Sequence, residues 1–344
     1  IERLAKAATQ AWQERKPGGV SWTLGQAVVG HNRRAVYADG HAQMYGKTAQ
    51  PGFRNIEGGE DHAVETLFFW DAEKRLRAVA INLACPSQEV ESRSALNADF
   101  WHEARTQLRA KLALPELTIL GWCSAAGDQS PHLMYRKAAE DRMLKARGLT
   151  RLQEIGRRVT NAVVDTLDIA KADIRSSVPF AHMISDVDLP PRKILEREYE
   201  DSKKVVSELG ALKEPDNRIR STLDREKAVM SRYEQGDKLP PVTIELHVLR
   251  LGDVAIATNP FELYLDYGVQ MKARSPAEQT FLIQLAAGSA KYLPTPKAIV
   301  GGSYSALPVS NSVGPEGGQV LVEETVRAIH AQWGEAAAGG ATGQ

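Results

Sequence analysis

Gly127-Asp128-Gln129-Ser130-Pro131-His132 places a carboxyl, a hydroxyl and an imidazole close together in the chain. The residues before it, Ser124 to Ala126, are small, and small residues let a backbone come near a ligand. Gly127 permits dihedrals closed to other residues. The apolar run 117–120 just upstream reads as a buried strand. In an α/β sheet, ligands are bound past the carboxyl ends of strands. The same residues also describe a tight strand-to-helix turn capped by Asp128 or Ser130.

Three more polar stretches follow apolar runs: Cys85 to Glu89, Asn259 to Glu262 and Gly288 to Tyr292. If the strands run largely parallel, all four loops meet at one sheet edge. Glu262 reads as first-turn in a helix opened by Asn259, where the dipole favours a carboxylate. Tyr292 and Tyr304 also fit half-buried aromatics. Cys85 and Cys123 each lie at or past a strand end, where neighbouring thiols could pair or share a metal; Cys85 also fits a small buried hydrophobe.

The elements that must position these residues follow from pattern. A helix is expected at 1–14, with Ile1, Leu4, Ala8 and Trp12 on one face. A strand follows at 20–29, then a loop over 35–60. The runs 63–70 and 76–84 read as a hairpin, and 95–112 as a helix. Further helices are expected at 136–146 and 149–170, and a long strand at 174–189. Residues 192–236 are dense in charge and read as an inserted helical hairpin, a surface decoration. The runs 242–251 and 254–258 read as a hairpin turning at Gly252-Asp253. A strand at 281–285, a Gly/Ser-rich loop to 318 and a helix at 319–333 complete the chain. The expected class is α/β: a mixed sheet with flanking helices, spanning 1–334. The Ala/Gly-rich tail 335–344 is expected to be disordered.

Composition narrows the function. The 344 residues carry 43 Lys plus Arg and 43 Asp plus Glu. That balance argues against a general nucleic-acid or anionic-membrane binder. No apolar run approaches the ~20 residues of a membrane span. Two cysteines do not make a disulfide framework. The chain opens at Ile1, so it reads as a processed form or a fragment.

These motifs resemble those of the neutral, non-lysosomal ceramidases. Gly127-Asp-Gln-Ser-Pro131 is similar to that family's Gly-Asp-x-Ser-Pro signature. The strand running from Leu251 to Asn259-Pro-Phe-Glu262 resembles its strand ending in Pro-Gly-Glu. Tyr292-Leu-Pro-Thr295 resembles its Tyr-x-x-Thr segment, Tyr304 keeps the spacing of its second Tyr, and Asn32-Arg-Arg34 resembles a further element. The resemblance implies hydrolysis of an N-acyl amide by a zinc-bound water. Glu262 and Tyr292 would be metal ligands, Tyr304 would stabilise the oxyanion, and Ser130 with Asp128 would complete the catalytic set. Zinc lowers the pKa of its water to roughly 7. A lipid amide substrate and a periplasmic or secreted location are likewise implied.

The chain departs from the family at both histidine ligands. The His-x-His motif belongs upstream of Ile1, and Pro86 stands where the second His belongs. Cys85, Gln88, Glu89 or His132 would have to substitute. The expectation is a ceramidase-like amide hydrolase, lacking its N-terminal part and of low activity as given. The alternatives are a hydrolase built on Ser130, and a lipid- or glycan-binding relative without a metal.

Overall fold

Two four-stranded sheets lie face to face in the computed structural model, which describes residues 1–212 and 214–334. The tail expected to be disordered lies outside the described residues. The first sheet runs Gly18–Gln26, Ala63–Asp71, Leu76–Leu83, Thr118–Cys123; the second runs Phe180–Leu189, Val242–Leu251, Val254–Thr258, Gln279–Ile283. Each has two antiparallel pairings and then one parallel pairing. In each, a helix crosses between the parallel strands: Phe100–Leu112 in the first, Leu265–Arg274 in the second. The sequence gives no sign of this repeated topology.

Alternation along the strands sets the layers. Trp22, Leu67 and Ala80 of the first sheet meet Val254, Ile256 and Phe281 of the second, with Trp122 edge-on to Phe281. On the outer face of the first sheet, Phe68, Val79 and Ile81 pack on Phe100 and Leu108 of the crossover helix and on Ile155 and Val159 of Arg151–Asp165. On the outer face of the second, Leu246, Val248 and Ala255 pack on Tyr267 and Met271 and on Leu321 and Val326 of Pro315–Gln332. The result is four layers, helix, sheet, sheet, helix. Strands covered on both faces read as continuous apolar runs.

Several expected boundaries shift for identifiable reasons. The 95–112 helix begins only at Phe100, where the Asp99 carboxylate accepts from Phe100 N at 2.7 Å and Val90 N at 2.9 Å. The 174–189 strand starts at Phe180, past Pro179. The expected loop over 35–60 contains a three-stranded antiparallel sheet, Arg34–Tyr37 between Ala42–Met44 and Phe53–Ile56. Those strands are too short to show a period. The helix Glu2–Gln13 forms, but its apolar face stays open, with Leu4 77% and Trp12 67% exposed.

Phe281 is buried at the junction of the two sheets. Phe281→Ala should cost about 3–5 kcal/mol, the range for truncating a buried aromatic. Thermal unfolding of the variant checks this, and an unchanged transition would contradict the packed interface.

Candidate functional site

Glu262 and Tyr292 are brought side by side by a pairing of only two residues. Glu262–Leu263 runs parallel to Tyr292–Leu293, with Glu262 opposite Tyr292. This corrects the helix-start reading of Glu262, since the helix begins at Leu265. The misleading signal is Asn259, whose Oδ1 accepts from Phe261 N at 3.1 Å in a local turn. The capping chemistry is present without the helix.

The loop 124–132 docks against this pair. Gly127 N donates to Leu263 O at 2.7 Å. A Cβ on Gly127 would lie 2.3 Å from Glu262 O, so only glycine permits the approach. Gln284 Oε1 accepts from both Ala126 N and Leu263 N at 3.1 Å, joining the loops of the two sheets. Asp128 is buried and holds three segments. Its carboxylate accepts from Leu265 N at 3.0 Å and Asn32 Nδ2 at 2.7 Å, and its carbonyl from Arg33 N at 2.9 Å. Burial pushes its pKa up to about 6.

Arg33 lies at the centre. Its Nη2 donates to Gly127 O at 2.9 Å and to Tyr292 Oη at 3.3 Å, and its Nη1 to Tyr45 Oη at 3.4 Å. Its Nε is buried without a partner. Burial works against the Arg33 charge, but the Tyr292 and Tyr45 phenols outweigh it and hold the group above its ordinary pKa. Tyr45 Oη donates in turn to Ser130 Oγ at 3.0 Å. Ser130, Tyr45, Arg33, Tyr292 and Glu262 therefore form one connected array. Burial raises the Glu262 pKa, against the pull of Tyr292 and Arg33, and burial also raises Tyr292.

Tyr304 stands edge-on to Tyr292, ring centroids 5.7 Å apart, and is 53% exposed. Together with Glu262 and Tyr292 it lines a cleft of about 430 Å³. The opposite wall is Thr222, Arg225 and Glu226, from the second helix of the 192–236 segment. That segment is the expected hairpin, Glu196–Gly210 and Asn217–Gln235, but it is not a mere decoration. Arg192 at its root donates to Ala306 O at 2.7 Å and Arg232 to Pro308 O at 3.0 Å, fastening the helices to the Tyr304 loop.

The other candidates have their own partners. Ser130 is buried, and its Oγ accepts from Tyr45 Oη and from His132 N at 3.2 Å. The His132 ring sits between Glu89, at 3.8 Å, and Glu91, at 3.6 Å. Cys85 and Cys123 are both free thiols. Burial raises Cys85 well above the usual thiol range and pushes Cys123 up to about 12. Gln88 reaches Arg33 Nη1 at 3.5 Å.

Glu262 and Tyr292 offer two oxygens, and zinc prefers nitrogen or sulfur. Among the described residues, no three His, Cys, Asp or Glu side chains converge on one point. The Arg33 guanidinium already touches Tyr292. The residues present do not by themselves fit the ion. The sequence had singled out Glu262, Tyr292 and Tyr304 through the family resemblance. It gave Arg33 no role beyond its Asn-Arg-Arg context, and nothing pointed to Tyr45 or Gln284.

No family model matches the chain, and no curated protein matches it. The fold, however, is that of the neutral ceramidases. The chain matches the crystal structure of neutral ceramidase from Pseudomonas aeruginosa with a TM-score of 0.64 at 15% identity, covering 99% of this chain and 56% of that one. It matches a structure described as ceramidase complexed with C2 with a TM-score of 0.62 at 14% identity, covering 98% and 57%. The chain thus spans little more than half the length of these neighbours.

The Asp128 shift has a measurable consequence. A carboxyl whose folded pKa is raised to about 6 is favoured in its protonated form. The folded state binds the proton more tightly than the unfolded state, so Asp128 lowers stability as pH rises from about 4 to about 6. Asp128→Asn should flatten that part of the stability–pH curve by about 2 kcal/mol, read by urea unfolding across the range. A curve of unchanged slope would show that Asp128 is not the group responsible.

Proposed function

We propose that this chain is a ceramidase-like hydrolase domain that takes an N-acyl amide lipid, with the amide group held at Glu262, Tyr292 and Tyr304. The observation that carries the reading is the Glu262–Tyr292 pair at the wall of a cleft, with the exposed Tyr304 beside it. The ceramidase fold of the solved neighbours supports it.

Each side chain has a definite capacity there. The Tyr304 hydroxyl can donate to an oxygen that gains charge as the amide carbonyl is attacked, a contribution of a few kcal/mol when preorganised. Glu262, its pKa raised by burial, is suited to taking a proton from a water nucleophile. Arg33 adds a fixed cation behind Tyr292. Activation of the water by zinc, as the resemblance implies, would need donors that the described residues do not place beside Glu262 and Tyr292.

The donor shortfall also favours a second reading, a lipid-amide-binding relative without turnover. The two differ only in product formation. A serine hydrolase on Ser130 has less support, because among the described residues the partners of Ser130 Oγ are Tyr45 Oη and the backbone N of His132, with no imidazole nitrogen.

Equilibrium dialysis with a labelled short-chain ceramide tests binding, and fatty-acid release tests turnover. The purified chain should bind the amide, and Glu262→Gln should weaken binding roughly tenfold, the loss expected for a charged hydrogen-bond partner. Release should be slight with or without added zinc. Absence of binding would sink the proposal, and strong zinc-dependent turnover would show that the ligands had been misplaced.

A further inference from the structure

The cleft does not end at Tyr304. Arg225, Lys291 and Val309 line it and also line a second cavity, of about 340 Å³, that continues beneath the helix Asn217–Gln235. The second cavity is walled chiefly by apolar groups, among them Ala228, Val229, Leu239, Pro240 and Pro308. Its charged lining residues are Arg225, Arg232 and Lys291, with no carboxylate.

The two cations at the junction have no acidic partner among the described residues. Arg225 Nε donates to Ser221 O at 3.1 Å, and Lys291 Nζ to Val309 O at 2.9 Å. Of the two acids lining the polar cleft, Glu226 accepts from Ser202 Oγ at 2.7 Å, and Glu262 faces Tyr292. An apolar groove whose charged lining is wholly cationic thus joins, at Arg225 and Lys291, a polar cleft that also carries Glu226 and Glu262. On the groove side the charged lining is of one sign, and low-dielectric walls concentrate that field on whatever enters there.

We propose that this composite site selects an N-acyl amine bearing a carboxylate close to its amide. This rests on the reading of the cleft as a lipid-amide site. The acyl chain lies in the groove under Asn217–Gln235, the carboxylate meets Arg225 and Lys291, and the amide reaches Glu262, Tyr292 and Tyr304. Each methylene buried in the groove strengthens binding roughly fourfold. A neutral amide fills the same groove and leaves both cations unpaired. Arg225 and Lys291 therefore discriminate by charge, and the groove by chain length.

The probes are N-lauroylglycine and N-lauroylethanolamine, matched in chain and amide and differing in charge. Calorimetric titration of the full chain at neutral pH and low ionic strength should show the carboxylate bound at least about tenfold more tightly. The double variant Arg225→Gln, Lys291→Gln should bring the two within about twofold. Both side chains are exposed, so the variant should keep its circular dichroism spectrum. Ala228→Trp, which narrows the groove from an exposed helix position, should weaken both lauroyl probes and leave N-butyrylglycine unaffected. Equal affinities in the unmodified chain, or a preference that survives in the double variant, would overturn the charge selection and leave the cleft reading standing. Binding of neither lauroyl probe would overturn both.

Discussion

One side chain joins the two halves of the molecule at the site. Gln284 lies just past the last strand of the second sheet, and its single carbonyl oxygen accepts from Ala126 N and Leu263 N. Its backbone N donates to Cys123 O, at the end of the first sheet's parallel strand. An amide oxygen has two lone pairs, and both are used here. The two loops that approach each other are thus fixed by a partner neither contains. Without it, two buried backbone N–H groups would lose their acceptor, at a cost of about 1–3 kcal/mol each. The close passage of Gly127 over Glu262 depends on that register.

The repeated topology explains why the loops meet at all. Each sheet puts its one parallel pair toward the other sheet's parallel pair, as Asn82 Nδ2 donating to Leu282 O at 2.8 Å shows. A parallel pair delivers two strand ends in the same direction, and a crossover helix must return between them. Two such pairs give four converging loop starts: after Leu83, after Cys123, after Thr258 and after Ile283. The convergence expected from a largely parallel sheet is therefore reached by a different route. The antiparallel strands of each sheet only extend the platform.

The parts legible in the sequence were those with a long period or a sharp turn. The hairpins at 63–83 and 242–258 and the amphipathic helix at 151–165 carry such signals. Relative strand direction was not legible, because an apolar run covered on both faces is alike in either direction. Nor was the fate of the charged 192–236 segment. Its solvated face was plain in its composition, while its buried contacts come from isolated residues such as Arg192, Leu223 and Val229. Tyr45 could not be found for a related reason. It sits at a positive φ of 55° between short strands, and its place beside Ser130 and Arg33 depends wholly on tertiary contacts.

Arg33 sets the electrostatics of the cleft floor. A buried guanidinium needs several acceptors, and here it finds one carbonyl, two phenols and the distant Gln88 amide, with Nε left over. None of these bonded acceptors carries a full negative charge, so the Arg33 field is felt at Glu262. That attraction lowers the cost of ionising Glu262, yet burial outweighs it and the carboxyl stays proton-hungry. The same field opposes a second cation beside Tyr292. A divalent ion could settle there only with neutral nitrogen or thiolate donors to offset the repulsion. The nearest thiol electrostatically coupled to Glu262, Cys123, is held protonated by its burial. An uncharged amide meets no such opposition. Its carbonyl oxygen gains from a fixed cation and preset hydroxyls that need no reorganisation when charge develops on it. The arrangement therefore favours a polarisable neutral group over a second cation at the floor of the cleft.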